Sequence, residues 1–165
     1  MKLAVILGTR PEIIKLSSII RYANQQHINT VIIHTNQHYS ENMDKIFFEE
    51  LDLPTPAYNL GIGSGSHGSQ TGRMMTNIEE VLEKEQPDAI LVQGDTNTVL
   101  AGALVAAKMG IKVGHVEAGL RSYDRTMPEE INRITTDHIS DFLYAPTKKQ
   151  QQILVSEGIE DHKIF

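Results

Sequence analysis

The feature that most constrains this chain is an alternation. Short apolar runs, most of them rich in Val, Ile and Leu, take turns with longer segments of helical period. The runs fall at 3–7, 30–34, 58–60, 89–92, 112–115 and 142–145. A strand covered on both faces shows no in-and-out alternation, so continuous apolar runs fit a parallel sheet. Parallel neighbours also need a crossover of a dozen residues or more, which the helical segments supply. The predicted fold is therefore α/β: a doubly wound, Rossmann-like parallel sheet with helices on both faces, one domain over 1–165.

Local signals place the helices. Thr9-Arg10-Pro11-Glu12 opens the first, with Thr9 as cap, Glu12 as its capping-box partner and Pro11 in the first turn. Ile13, Ile14, Ser17, Ile20 and Tyr22 are expected on its buried face. Further helices are predicted over 40–51, 70–84, 97–109, 129–138 and 147–157, with Met74, Met75, Ile78, Val81 and Leu82 inward on the third. Gly110 and Gly158 stop two of them. The stretch 61–69 reads as a Gly/Ser-rich loop, and 163–165 as the start of a further strand.

Composition narrows the function classes. The net charge is -6, from 15 Lys and Arg against 21 Asp and Glu, with no basic block, so a nucleic-acid partner is not expected. There is no cysteine, which excludes disulfides, thiolate chemistry and zinc–thiolate sites. The N-terminus lacks the core of a signal peptide and no apolar run reaches membrane-span length, so a cytoplasmic protein without a membrane partner is expected.

In such a sheet ligands bind outside the carboxyl ends of the strands, so the loops after strands carry the search. Gly8-Thr9-Arg10-Pro11-Glu12-Ile13-Ile14-Lys15 opens a helix whose N-terminus suits an anion, and Arg10 and Lys15 add positive charge. Gln93-Gly94-Asp95-Thr96-Asn97-Thr98 puts Asp95 where strand gives way to helix, either as the cap or as an acid. In His115-Val116-Glu117-Ala118-Gly119-Leu120-Arg121-Ser122, His115 and Glu117 share one side if the strand continues. Two such groups are costly there unless paired or used, and too few to make a metal site. Met127-Pro128-Glu129-Glu130-Ile131-Asn132-Arg133 has two acids in a first helical turn, of which the helix dipole accounts for one. Together these loops place Asp95, Glu117 and Glu129 around one cleft, where neighbouring carboxylates can divide into an acid and a base. Gly63-Ser64-Gly65-Ser66-His67-Gly68 matches the dinucleotide fingerprint formally, but it follows the weakest strand and lacks the usual acid after the next one. No cofactor and no metal are expected.

The same four loops, in this order and near this spacing, resemble the non-hydrolysing UDP-N-acetylglucosamine 2-epimerases. The resemblance covers the whole chain, but only about the first half of the usual family protein. It implies the N-terminal half of a two-domain, GT-B-like enzyme that interconverts UDP-GlcNAc and UDP-ManNAc. The implied route removes the proton at sugar C2, eliminates UDP and adds it back. Asp95, Glu117 and Glu129 match the family's catalytic acids, and Arg10, Lys15, His115 and Arg121 are implied in substrate binding. Gln37, His38 and Arg73 match positions used for a second, regulatory UDP-GlcNAc in bacterial members, although Ser40 stands where those members often carry an amide. Thr96 after Gly-Asp favours the non-hydrolysing type, since hydrolysing relatives usually carry Arg there. The resemblance further implies a homodimer, and a second domain or subunit without which this half is nearly inactive. Two other readings remain: the acceptor domain of a GT-B glycosyltransferase, and a non-catalytic docking or regulatory half.

Overall fold

The computed structural model describes residues 1–36 and 41–165, with side chains outside 41–45. Strands and helices alternate: β1 (Lys2–Leu7), α1 (Arg10–Gln25), β2 (Asn29–His34), α2 (Glu41–Glu50), β3 (Tyr58–Asn59) and α3 (His67–Glu85). They continue with β4 (Ala89–Gln93), α4 (Asn97–Lys108), β5 (Lys112–Val116), α5 (Pro128–Ile139), β6 (Phe142–Tyr144) and α6 (Lys148–Ser156). The strands form one parallel sheet in the order β3-β2-β1-β4-β5-β6. The order reverses between β1 and β4, which makes the sheet doubly wound.

Each central strand serves two cores, because successive side chains point to opposite faces. Ala4 and Ile6 of β1 pack with Ile78 and Leu82 of α3 and with Val99 and Ala103 of α4. Val5 and Leu7 pack on the other face with Ile13, Leu16 and Ile20 of α1 and with Phe48 of α2. Burying each large side chain in these clusters stabilises the fold by about 1.5–3 kcal/mol. A smaller cluster of Ala118, Leu143, Leu154 and Ile164 seats α6.

Several boundaries differ from the sequence reading. On α1, Ile14 and Tyr22 are exposed, while Ile13, Leu16, Ser17, Ile20 and Ala23 are buried. The helical period carries the inward stripe through 13, 16, 17, 20 and 23, and Ile14 and Tyr22 fall off its edge. Helix α3 starts at His67 with Ser66 as N-cap, so the Gly/Ser loop is shorter than expected. The last residues form a 3-10 turn at Asp161–Lys163, and only Ile164 bridges to Leu143 of β6. Among the described residues no helix is long and apolar enough to cross a membrane.

Candidate functional site

Helix α1 leaves β1 toward one face of the sheet and α4 leaves β4 toward the other. Their N-termini part at the reversal point, which is where open α/β sheets hold ligands. The loops after β1, β4 and β5 and the start of α5 meet there.

The β1 loop turns at Gly8. A Cβ there would lie 2.1 Å from Thr35 Oγ1 and 2.4 Å from Thr98 Oγ1, so only glycine fits. The capping box of Thr9 and Glu12 forms as expected. Glu12 does more than cap. It is buried, and its Oε2 accepts from the Gly8 and Thr9 N–H groups, both at 2.7 Å. Its Oε1 accepts from the Thr96 hydroxyl at 2.6 Å, across in the β4 loop. Burial pushes the Glu12 carboxyl above its ordinary value, against the pull of these donors.

Asp95 is not the cap of α4. Thr96 takes that role, accepting from Val99 N–H at 3.4 Å. The Asp95 carboxylate is left to pair with Arg133, and its carbonyl accepts from Asn132 Nδ2 at 2.8 Å. Arg133 also donates to Glu130 Oε2 at 2.9 Å. Burial acts to raise the Glu130 carboxyl, but the N–H groups of Ser122 and Tyr123 and the Arg133 guanidinium outweigh it and hold it at about 2. Of the two acids at the start of α5, Glu130 is therefore the structural one. Glu129 is exposed, and it shares the side of α5 that carries Asn132 and Arg133, three and four residues on.

The alternation expected of His115 and Glu117 breaks down, because β5 ends at Val116 and Glu117 is in the left-handed region at φ 67°. That conformation costs a non-glycine residue about 1 kcal/mol or more, and such strain gathers at functional sites. It turns Glu117 toward the β4 loop and α1. Glu117 Oε2 accepts from Gln93 Nε2 at 2.6 Å and pairs with Lys15 Nζ at 2.8 Å. Glu117 is thus tied to Gln93, two residues before Asp95 in the β4 loop, and each of the two acids is paired with a cation.

His115 and Arg121 lie behind this surface. His115 is buried, with Nε2 2.8 Å from the Gly94 carbonyl and Nδ1 2.6 Å from Asp137 Oδ1. The Arg121 side chain is 1% exposed, and its guanidinium is committed to Asp137 at 2.7 Å and Glu157 at 2.6 Å. His115 therefore ties β5 to the β4 loop, and Arg121 anchors the β5 loop to α5 and to Glu157 after α6. Arg10 opens α1, and Arg73 on α3 donates to the carbonyl of Ser64 in the Gly/Ser loop and to that of Ser69 in the first turn of its own helix. Gln37 and His38 lie outside the described residues. Among the described residues no group of three or more His, Asp or Glu side chains is placed to hold a metal ion.

Gln93, Asn132, Arg133 and Asp137, and the second role of Glu12, had no function assigned from sequence. One signal for Asp137 was available. Glu130, Arg133 and Asp137 on α5 and its C-cap Ser140 repeat at helical spacing, and three of the four are buried. A polar stripe on the inner face of a helix marks a network rather than a core.

The sequence model of the family described as UDP-N-acetylglucosamine 2-epimerase matches residues 21–165. A UDP-N-acetylglucosamine 2-epimerase of Methanocaldococcus jannaschii is 70% identical over 165 residues, which is 100% of this chain and 45% of that protein. A UDP-2,3-diacetamido-2,3-dideoxy-D-glucuronate 2-epimerase of Pseudomonas aeruginosa is 50% identical over 161 residues, 97% of this chain and 46% of that protein. The crystal structure of the M. jannaschii UDP-GlcNAc 2-epimerase in complex with UDP-GlcNAc and UDP superposes with a TM-score of 0.97 at 70% identity, covering 100% of this chain and 46% of that one. The chain spans a little under half the length of these relatives. The match covers the loops after β4 and β5 and the start of α5, and on it the chain belongs to the UDP-N-acetylglucosamine 2-epimerase family.

Proposed function

We propose that this chain supplies one wall of the active site of an enzyme that interconverts UDP-GlcNAc and UDP-ManNAc. The observation that carries the reading is that Asp95 and Glu117 meet at the β4 loop, Glu117 through its bond to Gln93, and pair with Arg133 and Lys15.

The chemistry needs such groups. The C2 proton of the sugar is not acidic by itself, so a carboxylate must be positioned to take it. As the C2–H bond breaks, its electron pair forms the C1=C2 double bond and the C1–O bond to UDP breaks. UDP leaves with the electron pair of the C1–O bond, and 2-acetamidoglucal remains. Re-addition joins the UDP oxygen to C1 and delivers a proton to the other face of C2. Removal and delivery on opposite faces call for two acid–base groups, drawn from Asp95, Glu117 and Glu129. The charge on the leaving diphosphate calls for cations, which Lys15, Arg10 and the N-terminus of α1 offer. His115 and Arg121 act here by holding the loops. A homodimer, completed by a second domain or subunit, is part of the proposal, and the 165-residue chain alone is expected to turn over substrate poorly.

The test uses a polypeptide of the relatives' full length carrying this chain. UDP-GlcNAc is converted to UDP-ManNAc, with UDP and 2-acetamidoglucal detectable by HPLC. Asp95→Asn, Glu117→Gln and Glu129→Gln each lower kcat by about 10²–10⁴-fold. Transfer of the sugar to an acceptor, or full activity in all three variants, overturns the reading. Preferential turnover of the diacetamido-glucuronate nucleotide keeps the mechanism and changes the substrate.

A further inference from the structure

Glu12 differs from the other acids of the site. Asp95, Glu117 and Glu130 each touch a cation, whereas the partners of Glu12 are neutral donors from two separate loops. A capping box requires only the contact with Thr9, three residues back. Gly8 and Thr96 lie outside that motif, and Thr96 is 84 residues away. The Thr96 hydroxyl that donates to Glu12 also accepts from Val99 N–H, so one oxygen joins the start of α4 to the start of α1. Asp95 immediately precedes Thr96, and Arg10 lies between Thr9 and Glu12. A buried carboxylate is costly unless its donors are well placed, and removing one end of such a link leaves the other unsatisfied.

We propose that Glu12 is a positioning residue for the reaction proposed above, its two carboxylate oxygens fixing the β1 loop and the start of α1, where Arg10 stands, against the loop that carries Asp95. The inference rests on that reading of the function. Glu12 touches no reacting atom in this role. It sets the separation between the leaving-group cations on α1 and the acid after β4.

The conservative variant separates positioning from capping. In Glu12→Gln the amide oxygen still accepts from Gly8 and Thr9, so the cap of α1 survives. The amide NH2 then faces Thr96 Oγ1 and must donate to a hydroxyl that donated before. The link between the loops is altered while the helix start is kept. Thr96→Val cuts the same link from the other side, and Thr96→Ser retains it.

The test measures kcat and KM for UDP-GlcNAc in the polypeptide of the relatives' length, with the unfolding midpoint of each variant. Glu12→Gln and Thr96→Val each lower kcat by about 10-fold or more, with KM within about 3-fold, because displacing a loop by a fraction of an ångström acts on the oriented complex. The double variant is no slower than about twice the worse single one, as expected of two ends of one link. Thr96→Ser keeps kcat within about 3-fold of the unmodified protein, since its hydroxyl can make the same contacts. A purely structural role for Glu12 lowers the midpoint and leaves kcat of the folded protein unchanged. That result, or multiplicative losses in the double variant, overturns the proposal while the proposed reaction stands. No epimerisation by the unmodified protein overturns both.

Discussion

Replacing Asp137 by Asn is the most demanding test of the network beneath the site. The Asp137 side chain is fully buried, and the side chains of His115 and Arg121 are each 1% exposed. One carboxylate accepts from His115 Nδ1 at 2.6 Å, Arg121 Nη1 at 2.7 Å and Gly119 N–H at 3.1 Å. An amide keeps one acceptor and puts an NH2 against one of the two ring or guanidinium donors. Breaking a buried pair costs about 3–5 kcal/mol, because the remaining charge stays buried without its partner. Arg121 retains Glu157 at 2.6 Å, which places the expected loss at the lower end, about 3 kcal/mol. For a chain of this size that lowers Tm by about 10 °C. Urea unfolding followed by circular dichroism measures it. Lys112→Met serves as the control, since it breaks an exposed pair with Asp141 and costs under about 1 kcal/mol. Loss of less than about 1 kcal/mol in Asp137→Asn refutes the claim that this carboxylate organises the β5 loop.

Gly8→Ala forces a methyl group onto Thr35 Oγ1 and Thr98 Oγ1, which hydrogen-bond each other at 2.8 Å, and it lowers stability by about 1–3 kcal/mol in the same urea assay. Acid sensitivity follows from Glu130. Its folded value of about 2 lies below the ordinary 4.5, so its contribution is present above about pH 4.5 and lost as pH falls toward 2. That contribution is about 2 kcal/mol after allowance for solvent screening, and Glu130→Gln flattens the pH–stability curve across that window. Lys15→Met leaves Glu117 its bond to Gln93 among the described residues and, on the proposed reading that Lys15 stabilises the leaving diphosphate, lowers kcat/KM for UDP-GlcNAc by about 10²-fold. Unchanged kcat/KM contradicts that placement of Lys15.

The sheet was legible because its strands are buried on both faces, and continuous runs such as Leu3-Ala4-Val5-Ile6-Leu7 have few other uses in a soluble fold. The helix starts were legible where a side chain closes a local ring, as Thr9 and Glu12 do. Ile14 and Tyr22 were misplaced because an apolar residue at the edge of a helical stripe costs little when exposed. The positions of Asp95 and Glu117 in loops after β4 and β5 could be read in advance, since the fold class dictates which ends of the strands hold ligands. Their partners could not. The Arg133 and Asp95 pair, the Lys15 and Glu117 pair and the Glu12 and Thr96 bond join residues 38, 102 and 84 positions apart. Period and propensity report only on neighbours. The left-handed turn at Glu117 was equally hidden, because nothing local favours that conformation in a glutamate. His115 and Arg121 sit in motif loops like the acids, yet their burial beneath those loops depends on Asp137, a residue of a later helix.

The central claim is proton transfer at sugar C2 by the carboxylates of this chain. It is tested most directly by proton NMR in D2O, with UDP-GlcNAc and a polypeptide of the relatives' full length carrying residues 1–165. The account predicts loss of the C2 proton signal to deuterium together with the appearance of UDP-ManNAc, both abolished by Glu117→Gln or Asp95→Asn. Retention of the C2 proton and absence of the epimer, from a folded protein, contradict it.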